Sequence, residues 1–256
     1  MLSWLRSNKW EPKTWNNYLT DLRKMFAWGK EQGRVTLNVC EGLPRKKADK
    51  DDIRFVHVDH VEALFRRAEK VGTVTTGLQR GADGTYEPVP ADEEDFRDFV
   101  PFLVLAFFNG LRPERELGEM EDMSDVHLDE GITVVRGPRA KTRARRVVEL
   151  PENAVAWLRA FPRDGKVLPK NFARRWKRLR GQVKIGGGKT LFDEWPHDGA
   201  RHTFATYHYA KHQNEAKLQV QMGHESDAVL HTNYRGLGRP KDAERFWGIM
   251  PLTKSL

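Results

Sequence analysis

The sequence has one cysteine, Cys40, among 256 residues. A single cysteine excludes an internal disulfide and a zinc site built from cysteines, and it is typical of a reducing compartment. The first residues, Met-Leu-Ser-Trp-Leu-Arg, do not form a signal peptide. The longest apolar run, residues 99–108, is too short to cross a bilayer and contains Pro101. We therefore expect a cytoplasmic protein without a membrane partner.

The sequence also lacks a recognisable metal site. Six histidines occur after residue 196, but their spacing repeats no metal-ligand pattern and no pair of carboxylates accompanies them. These histidines are His197, His202, His208, His212, His224 and His231. We expect no metal and no cofactor, and we interpret most of these histidines as packing or surface residues.

Positive charge is abundant, with 44 lysines and arginines against 36 acidic residues and a formal charge of +8. A basic excess indicates a polyanionic partner, with nucleic acid first and an anionic membrane second. Residues 136–146 hold six basic residues and no acid, between two predicted strands at 132–136 and 145–150. Residues 163–184 hold nine basic residues and one acid, mostly on a helix predicted over 170–183.

The basic helix favours contact with the DNA backbone, because like charges three and four residues apart repel and an anion would offset that cost. For the basic hairpin tip, a phosphate contact and a solvated charged turn explain the charge equally well. A solvated charged surface is the alternative for both segments. The predicted DNA-binding residues are Arg139, Arg143, Arg145, Arg174, Arg175, Lys177 and Arg178.

Apolar periodicity and turn residues predict the other helices. A helix over 14–32 starts at a Thr14 cap and ends at Gly33, and the next begins near Asp59 as its N-cap. Further helices are predicted over 99–108, from Pro113, from Arg201, and over 241–250, the last packing in the core or on a second subunit. Residues 71–95 are expected to form a long surface loop or insertion.

Several side chains have the chemistry needed to cleave a phosphodiester. Planar arginines can bind two phosphate oxygens each, and Arg112 is predicted at a helix start, where free N–H groups also favour an anion. A surface arginine is the alternative for Arg112 on its own. A lysine can protonate the leaving oxygen, and a tyrosine hydroxyl can attack phosphorus to form a covalent intermediate.

Five segments in order make the chain resemble the tyrosine recombinases of the phage-integrase family. They are Asn109-Gly-Leu-Arg112-Pro-Glu, Lys141-Thr-Arg-Ala-Arg-Arg-Val-Val, Ala200-Arg201-His202-Thr-Phe-Ala-Thr, Met222-Gly-His224 and Tyr234-Arg. Their order and spacing agree with the family and span about half of the chain. The resemblance implies that Arg112 and Arg201 clamp the scissile phosphate and that Lys141 is the general acid. It also implies that His224 binds a phosphate oxygen and that Tyr234 carries a 3′-phosphotyrosyl link.

The resemblance further implies a mainly α fold with a small antiparallel β-sheet. Residues 1–44 would be the C-terminal part of a helical core-binding domain, 45–54 a linker and 55–256 the catalytic domain. The family's usual N-terminal helices would then be missing. The implied partner is double-stranded DNA in the nucleoid, gripped between the two domains. The protein would be a monomer in the absence of DNA and would act as a homotetramer on paired DNA sites. The reaction would need neither a metal nor ATP.

Two positions depart from the family pattern. The family has a histidine three residues before the second arginine, where this chain has Asp198, with His197 one residue earlier. Either His197 reaches the site through a bulge at Gly199, or Asp198 only orients its neighbours. The glutamate expected three residues after the first arginine is Arg115, with Glu116 next, so the helix register after Arg112 is expected to shift.

Two other functions compete with a recombinase. A catalytically impaired, DNA-binding remnant of an integrase would use the same basic surface, and the Asp198 departure favours it. A protein that binds single strands or RNA would use its eight tryptophans as stacking platforms. The tryptophans fall mostly on apolar helical faces, so packing in the core is the better account of them.

Overall fold

The computed structural model describes residues 9–47, 53–70, 72–73, 78–80, 86–88, 93–137, 145–223, 234 and 236–252. The chain divides into two compact units, residues 1–52 and residues 53–256. The assignment of the first unit to a core-binding domain remains a prediction.

The first unit is built on one helix, α1 (Pro12–Glu31). It starts at Glu11 with a proline in its first turn, so the predicted Thr14 cap is wrong. Gly33 follows its end with φ 65°, as a helix C-terminus favours. The segment after the helix folds back on it, and Asn16 exchanges two hydrogen bonds with the backbone of Lys46. Residues 45–47, predicted as linker, therefore belong to this unit.

The second unit contains seven α-helices and nine short strands among its described residues. The helices are α2 (Val58–Glu69), α3 (Val100–Phe107), α4 (Glu152–Ala160), α5 (Phe172–Gly181), α6 (Gly199–His212), α7 (Glu215–Met222) and α8 (Pro240–Trp247). The strands are β1 (Gly72–Thr73), β2 (Leu78–Arg80), β3 (Tyr86–Pro88), β4 (Glu93–Glu94), β5 (Val126–His127), β6 (Ile132–Val135), β7 (Arg146–Glu149), β8 (Lys184–Gly186) and β9 (Lys189–Thr190). This is the predicted fold class, mainly α with a small antiparallel sheet.

Helix α3 is the centre of the core, because all eight of its residues are buried. Its apolar composition follows from that position, since a helix surrounded by protein has no polar face. Helices α2, α4, α6 and the turn after α3 all pack against it. Helix α8 packs on α6 and α2, and its Phe246 stacks on Tyr207 with ring centroids 4.7 Å apart. The C-terminal helix is thus part of the core, the first of the two predicted roles.

The sheet β5–β6–β7 is antiparallel, and Val134 of β6 pairs with Val147 of β7. The two predicted strands are therefore confirmed, and most of the basic segment between them in the sequence lies outside the described residues. The region from 71 to 95 is more structured than predicted, because β1 pairs with β4 and β2 with β3. Two other details differ: α2 is capped by the side chain of His57, which accepts from the Asp59 N–H, and α4 was not predicted.

The tryptophans of the second unit are packing residues. Trp157 is fully buried and donates its indole N–H to the Ile249 carbonyl at 2.9 Å. Trp176 and Trp195 meet edge to face at 5.0 Å and close the side of α5 onto the core. In the first unit Trp15 is buried and Trp28 is half exposed, while Trp4 lies outside the described residues. Over the described residues, no helix is long and apolar enough to cross a bilayer.

One histidine is buried on α6 without serving the site described below. His208 is 4% exposed and contacts the rings of Phe204, His212 and Trp247. Its Nδ1 is buried and has no hydrogen-bond partner among the described residues. Burial, with nearby positive groups second, lowers the pKa of His208 to about 3, so the ring is neutral in the folded protein.

His208 should make the folded protein sensitive to mild acid. Because its folded pKa lies below the unfolded value of about 6.5, its contribution is complete above pH 6.5 and is lost as the pH falls. We expect a loss of about 2 kcal/mol in the free energy of unfolding at pH 5 from this group. His208→Leu should lack that part of the loss in urea titrations, whereas the exposed His197→Ala should keep the wild-type profile. Equal losses in His208→Leu and wild type would contradict this assignment.

Candidate active site

Arg201 lies at the centre of the site, in the first turn of α6, and is 4% exposed. Its guanidinium donates to the Gly110 carbonyl at 2.5 Å and to the Met222 carbonyl. It thereby joins the turn after α3 to the end of α7. Burial first, and then the charge of Arg112, lowers the pKa of Arg201 to about 9, which leaves it a cation at neutral pH.

The turn at Gly110 is possible only with glycine. Its φ is 66°, a region that residues with a side chain rarely adopt. A Cβ at this position would lie 2.5 Å from the ring of Phe204 on α6. The preceding Asn109 is buried and donates its side-chain amide to the Glu149 carbonyl at 2.9 Å. The Asn-Gly pair therefore brings the backbone close enough to α6 for its carbonyl to hold Arg201.

Arg112 begins a single π turn, Pro113–Leu117. The N–H of Leu117 reaches back five residues to the Arg112 carbonyl at 3.0 Å. This wider turn accommodates the extra residue between Arg112 and Glu116, so the predicted shift of register is found. Glu116 nevertheless reaches Arg112: its carboxylate accepts from the guanidinium at 2.8 Å and from the backbone N–H at 2.9 Å.

A third arginine, Arg146 at the start of β7, also binds Glu116. Its two terminal nitrogens donate to the two carboxylate oxygens, both at 2.8 Å. This bidentate geometry is the strongest that an arginine and a carboxylate can form. Gly223, at the end of α7, leaves room for this side chain, because a Cβ there would lie 3.0 Å from Arg146. Arg146 was not predicted as a site residue.

Glu116 is 1% exposed and is the one carboxylate that both Arg112 and Arg146 contact among the described residues. Burial raises its pKa, but the bonds from Arg146, the backbone N–H of Arg112 and the charge of Arg201 outweigh burial and lower it below the ordinary value. Three guanidinium groups and one carboxylate leave an excess of two positive charges. Such a site attracts an anion.

Tyr234 is 2% exposed, and its hydroxyl lies 2.7 Å from Nδ1 of His202 on α6. Burial raises the pKa of Tyr234 to about 12, although the charge of Arg201 acts in the opposite direction. Burial also lowers the pKa of His202, against the charge of Asp198. The predicted nucleophile is thus a neutral phenol beside a neutral imidazole, within electrostatic range of Arg201.

The residues before α6 show how the first departure from the family pattern is built. Asp198 is the N-cap of α6 and adopts the left-handed conformation, with φ 49° and ψ 27°. Its carbonyl accepts from the His202 N–H at 2.9 Å, and its own side chain is half exposed. The His197 side chain is 94% exposed, so it does not reach the site through a bulge at Gly199.

Four predicted site residues lie outside the described residues. They are Arg139, Lys141, Arg143 and His224. Their roles remain predictions.

The predicted DNA-binding residues on α5 divide into two groups. Arg174 and Lys177 are exposed, as is Arg145 at the sheet edge, and Arg178 is partly buried. Arg175 instead forms a two-pronged ion pair with Asp98, at 2.6 and 2.8 Å. A DNA contact by Arg175 would have to compete with this pair, whereas the exposed side chains are available to an anion.

The sequence reasoning missed Arg146 and gave His202 no role. The signal for Arg146 was weak, because it is one of six basic residues in the predicted hairpin. The signal for His202 was its position directly after Arg201, but sequence spacing does not show which way a side chain points. No cluster of three metal-ligating side chains occurs among the residues that the structure describes.

Comparisons with known proteins identify the fold. No protein-family model and no curated protein matches the sequence. The Tn1549 transposon integrase in complex with a circular intermediate DNA is 15% identical, with a TM-score of 0.63 over 94% of this chain and 80% of that one. Its complex with transposon right end DNA gives the same score and identity over 94% and 82%. The integrase of mycobacterium phage Brujita is 20% identical over 98% and 79%, with a TM-score of 0.42.

The Tn1549 structures carry the fold argument. The resemblance to the tyrosine recombinases, predicted from five short segments, is confirmed at the level of the fold. Identities near 15% do not carry catalytic activity from one protein to another. The function must therefore be argued from the site itself.

The stability of the second unit should depend on the charge of Glu116. Glu116→Gln leaves three guanidinium groups without their carboxylate, and we expect the free energy of unfolding at pH 7 to fall by about 3 kcal/mol. Because the folded pKa is lowered, the same contribution should be lost in wild type as the pH falls below the ordinary glutamate value of about 4.3. Urea unfolding measures both effects. Glu114→Gln, an exposed neighbour, is the control, and equal stability of the two variants would contradict the role of Glu116.

Proposed function

We propose that this protein cleaves and rejoins duplex DNA as a site-specific recombinase, through a covalent 3′-phosphotyrosyl intermediate on Tyr234. The observation that carries the proposal is the grouping of three guanidinium groups around one buried carboxylate, within electrostatic range of a buried tyrosine hydroxyl. The fold of the Tn1549 integrase, which is found in complex with DNA, supports the same function.

The scissile phosphate supplies negative charge that balances the excess positive charge of the three guanidinium groups. Arg112 and Arg201 bind its non-bridging oxygens, where charge grows as phosphorus becomes five-coordinate. Arg112 is partly exposed and meets the DNA first, while buried Arg201 is held in orientation by its two carbonyl partners. The binding groups are ordered before DNA arrives, which is the condition for strong electrostatic stabilisation of a transition state.

The covalent step exchanges one phosphoester for another. The Tyr234 oxygen forms a bond to phosphorus, the bond from phosphorus to the 5′ oxygen breaks, and the phenolic proton leaves the tyrosine. The departing 5′ oxygen takes a proton from Lys141, the proposed general acid. His224 hydrogen-bonds a phosphate oxygen. Since the phosphotyrosine keeps the energy of the original ester, attack by a 5′-hydroxyl rejoins a strand without ATP.

The five basic residues of α5, which has no acidic residue, supply binding rather than chemistry. Arg174 and Lys177 present positive charge to solvent, where they can contact backbone phosphates without reading bases. Recombination requires two DNA sites, and we propose that four copies of the chain act together on them. The oligomer would assemble on DNA from free monomers.

Covalent trapping tests the proposed chemistry. A nicked duplex that releases a short fragment after cleavage should yield an SDS-resistant adduct with wild type, from a site library if the cognate site is unknown. Tyr234→Phe should give none, because it lacks the attacking oxygen. Arg112→Ala should lower the trapping rate by about 10³-fold, since one charge-stabilising group is lost, while duplex affinity changes little.

The outcome of the trapping experiment distinguishes a recombinase from a DNA-binding remnant of an integrase. Adduct formation by Tyr234→Phe, or a wild-type rate in Arg112→Ala, would refute the residue assignments. Tight duplex binding with no adduct in wild type would favour a DNA-binding remnant of an integrase, the function that Asp198 in place of the family histidine supports. Arg159→Ala, a surface arginine paired with Asp129, is the control and should trap at the wild-type rate.

The exposed basic face of α5 should determine the salt dependence of DNA binding. Arg174→Ala with Lys177→Ala should weaken duplex binding at all sequences and reduce the slope of log K against log salt by about 2. The matched control removes two positive charges elsewhere, at Arg159 and Lys166, which are exposed but paired with acidic residues. Filter binding or fluorescence anisotropy at several salt concentrations measures both. An equal slope in the two double variants would show that α5 is a solvated charged surface and does not contact DNA.

A further inference from the structure

The side chains of Tyr234 and His202 are in direct contact, and the proposed function assigns no role to His202. The hydroxyl oxygen and Nδ1 are 2.7 Å apart, which is a short hydrogen bond between neutral groups. The two rings lie side by side, with centroids 6.0 Å apart and planes tilted by 39°. The phenol therefore meets the imidazole through its oxygen and not through its ring face.

The hydrogen bond fixes the direction in which a proton can move. A tyrosine that is to attack must lose its proton, so its hydroxyl is the donor and Nδ1 of His202 the acceptor. In that tautomer the ring proton of His202 sits on Nε2. The backbone of His202 is fixed as well, since its N–H donates to the Asp198 carbonyl at 2.9 Å in the first turn of α6.

We infer that His202 is a catalytic residue, the general base that takes the Tyr234 proton during attack on phosphorus. The inference rests on the proposed function and assigns one further role within it. His202 lies one residue after Arg201, and four residues after the position where the family histidine is replaced by Asp198. On this helix it contacts the nucleophile directly, while the exposed His197 does not.

The proton balance of the step is complete within the chain and the DNA. As the bond from the Tyr234 oxygen to phosphorus forms, the phenolic proton passes to Nδ1 and His202 becomes an imidazolium. The bond to the 5′ oxygen breaks, and that oxygen is protonated from Lys141. In the rejoining step the incoming 5′-hydroxyl passes its proton to the now neutral amine of Lys141 and bonds to phosphorus. The phosphotyrosyl bond breaks, and the imidazolium returns its proton to the tyrosine.

The surroundings of His202 keep it available as a base at neutral pH. Burial, together with the charges of Arg201 and His197, disfavours the imidazolium and outweighs the opposing charge of Asp198, so the pKa of His202 lies below 6.5. A general base must be neutral before the reaction. The trapping rate of wild type should therefore fall as the pH is lowered through the pKa of His202.

The test compares two variants of His202 on the nicked duplex. His202→Ala removes the acceptor, whereas His202→Asn retains a side-chain oxygen that can hold the tyrosine hydroxyl but cannot take its proton. We expect both variants to lower the trapping rate by about 10²-fold or more and to lose the acid limb of the pH profile. His212→Asn, an exposed histidine on the same helix, is the control and should trap like wild type.

A second substrate separates the two proton transfers. In a duplex with a sulfur in place of the bridging 5′ oxygen, the leaving thiolate needs no proton. Lys141→Ala should recover activity on it, whereas His202→Ala should stay slow, because deprotonation of the nucleophile is unchanged. Recovery of His202→Ala on this substrate would place His202 on the side of the leaving group and overturn the inference.

Three further results test whether His202 is the general base. Trapping by His202→Asn at the wild-type rate would show that the histidine only orients the tyrosine, and it would overturn the inference while the proposed function stands. If wild type binds the duplex and forms no adduct, the proposed function and this inference fail together. Nitrogen-15 NMR of the histidines supplies a readout without DNA: Nδ1 of His202 should be unprotonated and should shift in Tyr234→Phe, and a proton on Nδ1 would overturn the assignment.

Discussion

The site depends on one buried cation, the guanidinium of Arg201, and on the two backbone carbonyls that hold it. A buried charge is tolerated only where hydrogen bonds replace its hydration, and here the replacement comes from Gly110 and Met222. Because these carbonyls belong to the turn after α3 and to the end of α7, their positions depend on the whole packing of the second unit. The site is therefore built by the core, and its chemistry is inseparable from the fold.

Positive groups outnumber negative groups in this site, with three guanidinium groups and one carboxylate. Glu116 binds Arg112 and Arg146 and thereby holds these two guanidinium groups together without DNA. A second carboxylate would leave an excess of only one positive charge and would compete with a phosphate. A missing carboxylate would leave repulsion that the fold could not support. One carboxylate among three guanidinium groups leaves an excess of two positive charges, and such an excess favours an anion.

Much of this arrangement was predictable from the sequence. The apolar run of α3, its end before Asn109-Gly110 and the paired strands β6 and β7 follow from local patterns that tertiary structure does not override. The contact of His202 with Tyr234 could not be predicted, because residues 32 positions apart meet only through the packing of α6. The N-cap of α2 was misassigned for a smaller reason, since the helix begins at Val58 and the His57 side chain accepts from the backbone N–H of Asp59.

The π turn at Pro113–Leu117 has a consequence for how such sites are found. The carboxylate that pairs with Arg112 stands four residues later in this chain, and the wider turn brings it within 2.8 Å of the guanidinium. A search that demands a fixed interval between arginine and glutamate would pass over this sequence, although the ion pair is intact. Where one helical turn can widen, the number of residues between an arginine and its carboxylate is a poor criterion for comparing two sites. The position of the carboxylate in the structure is a better criterion.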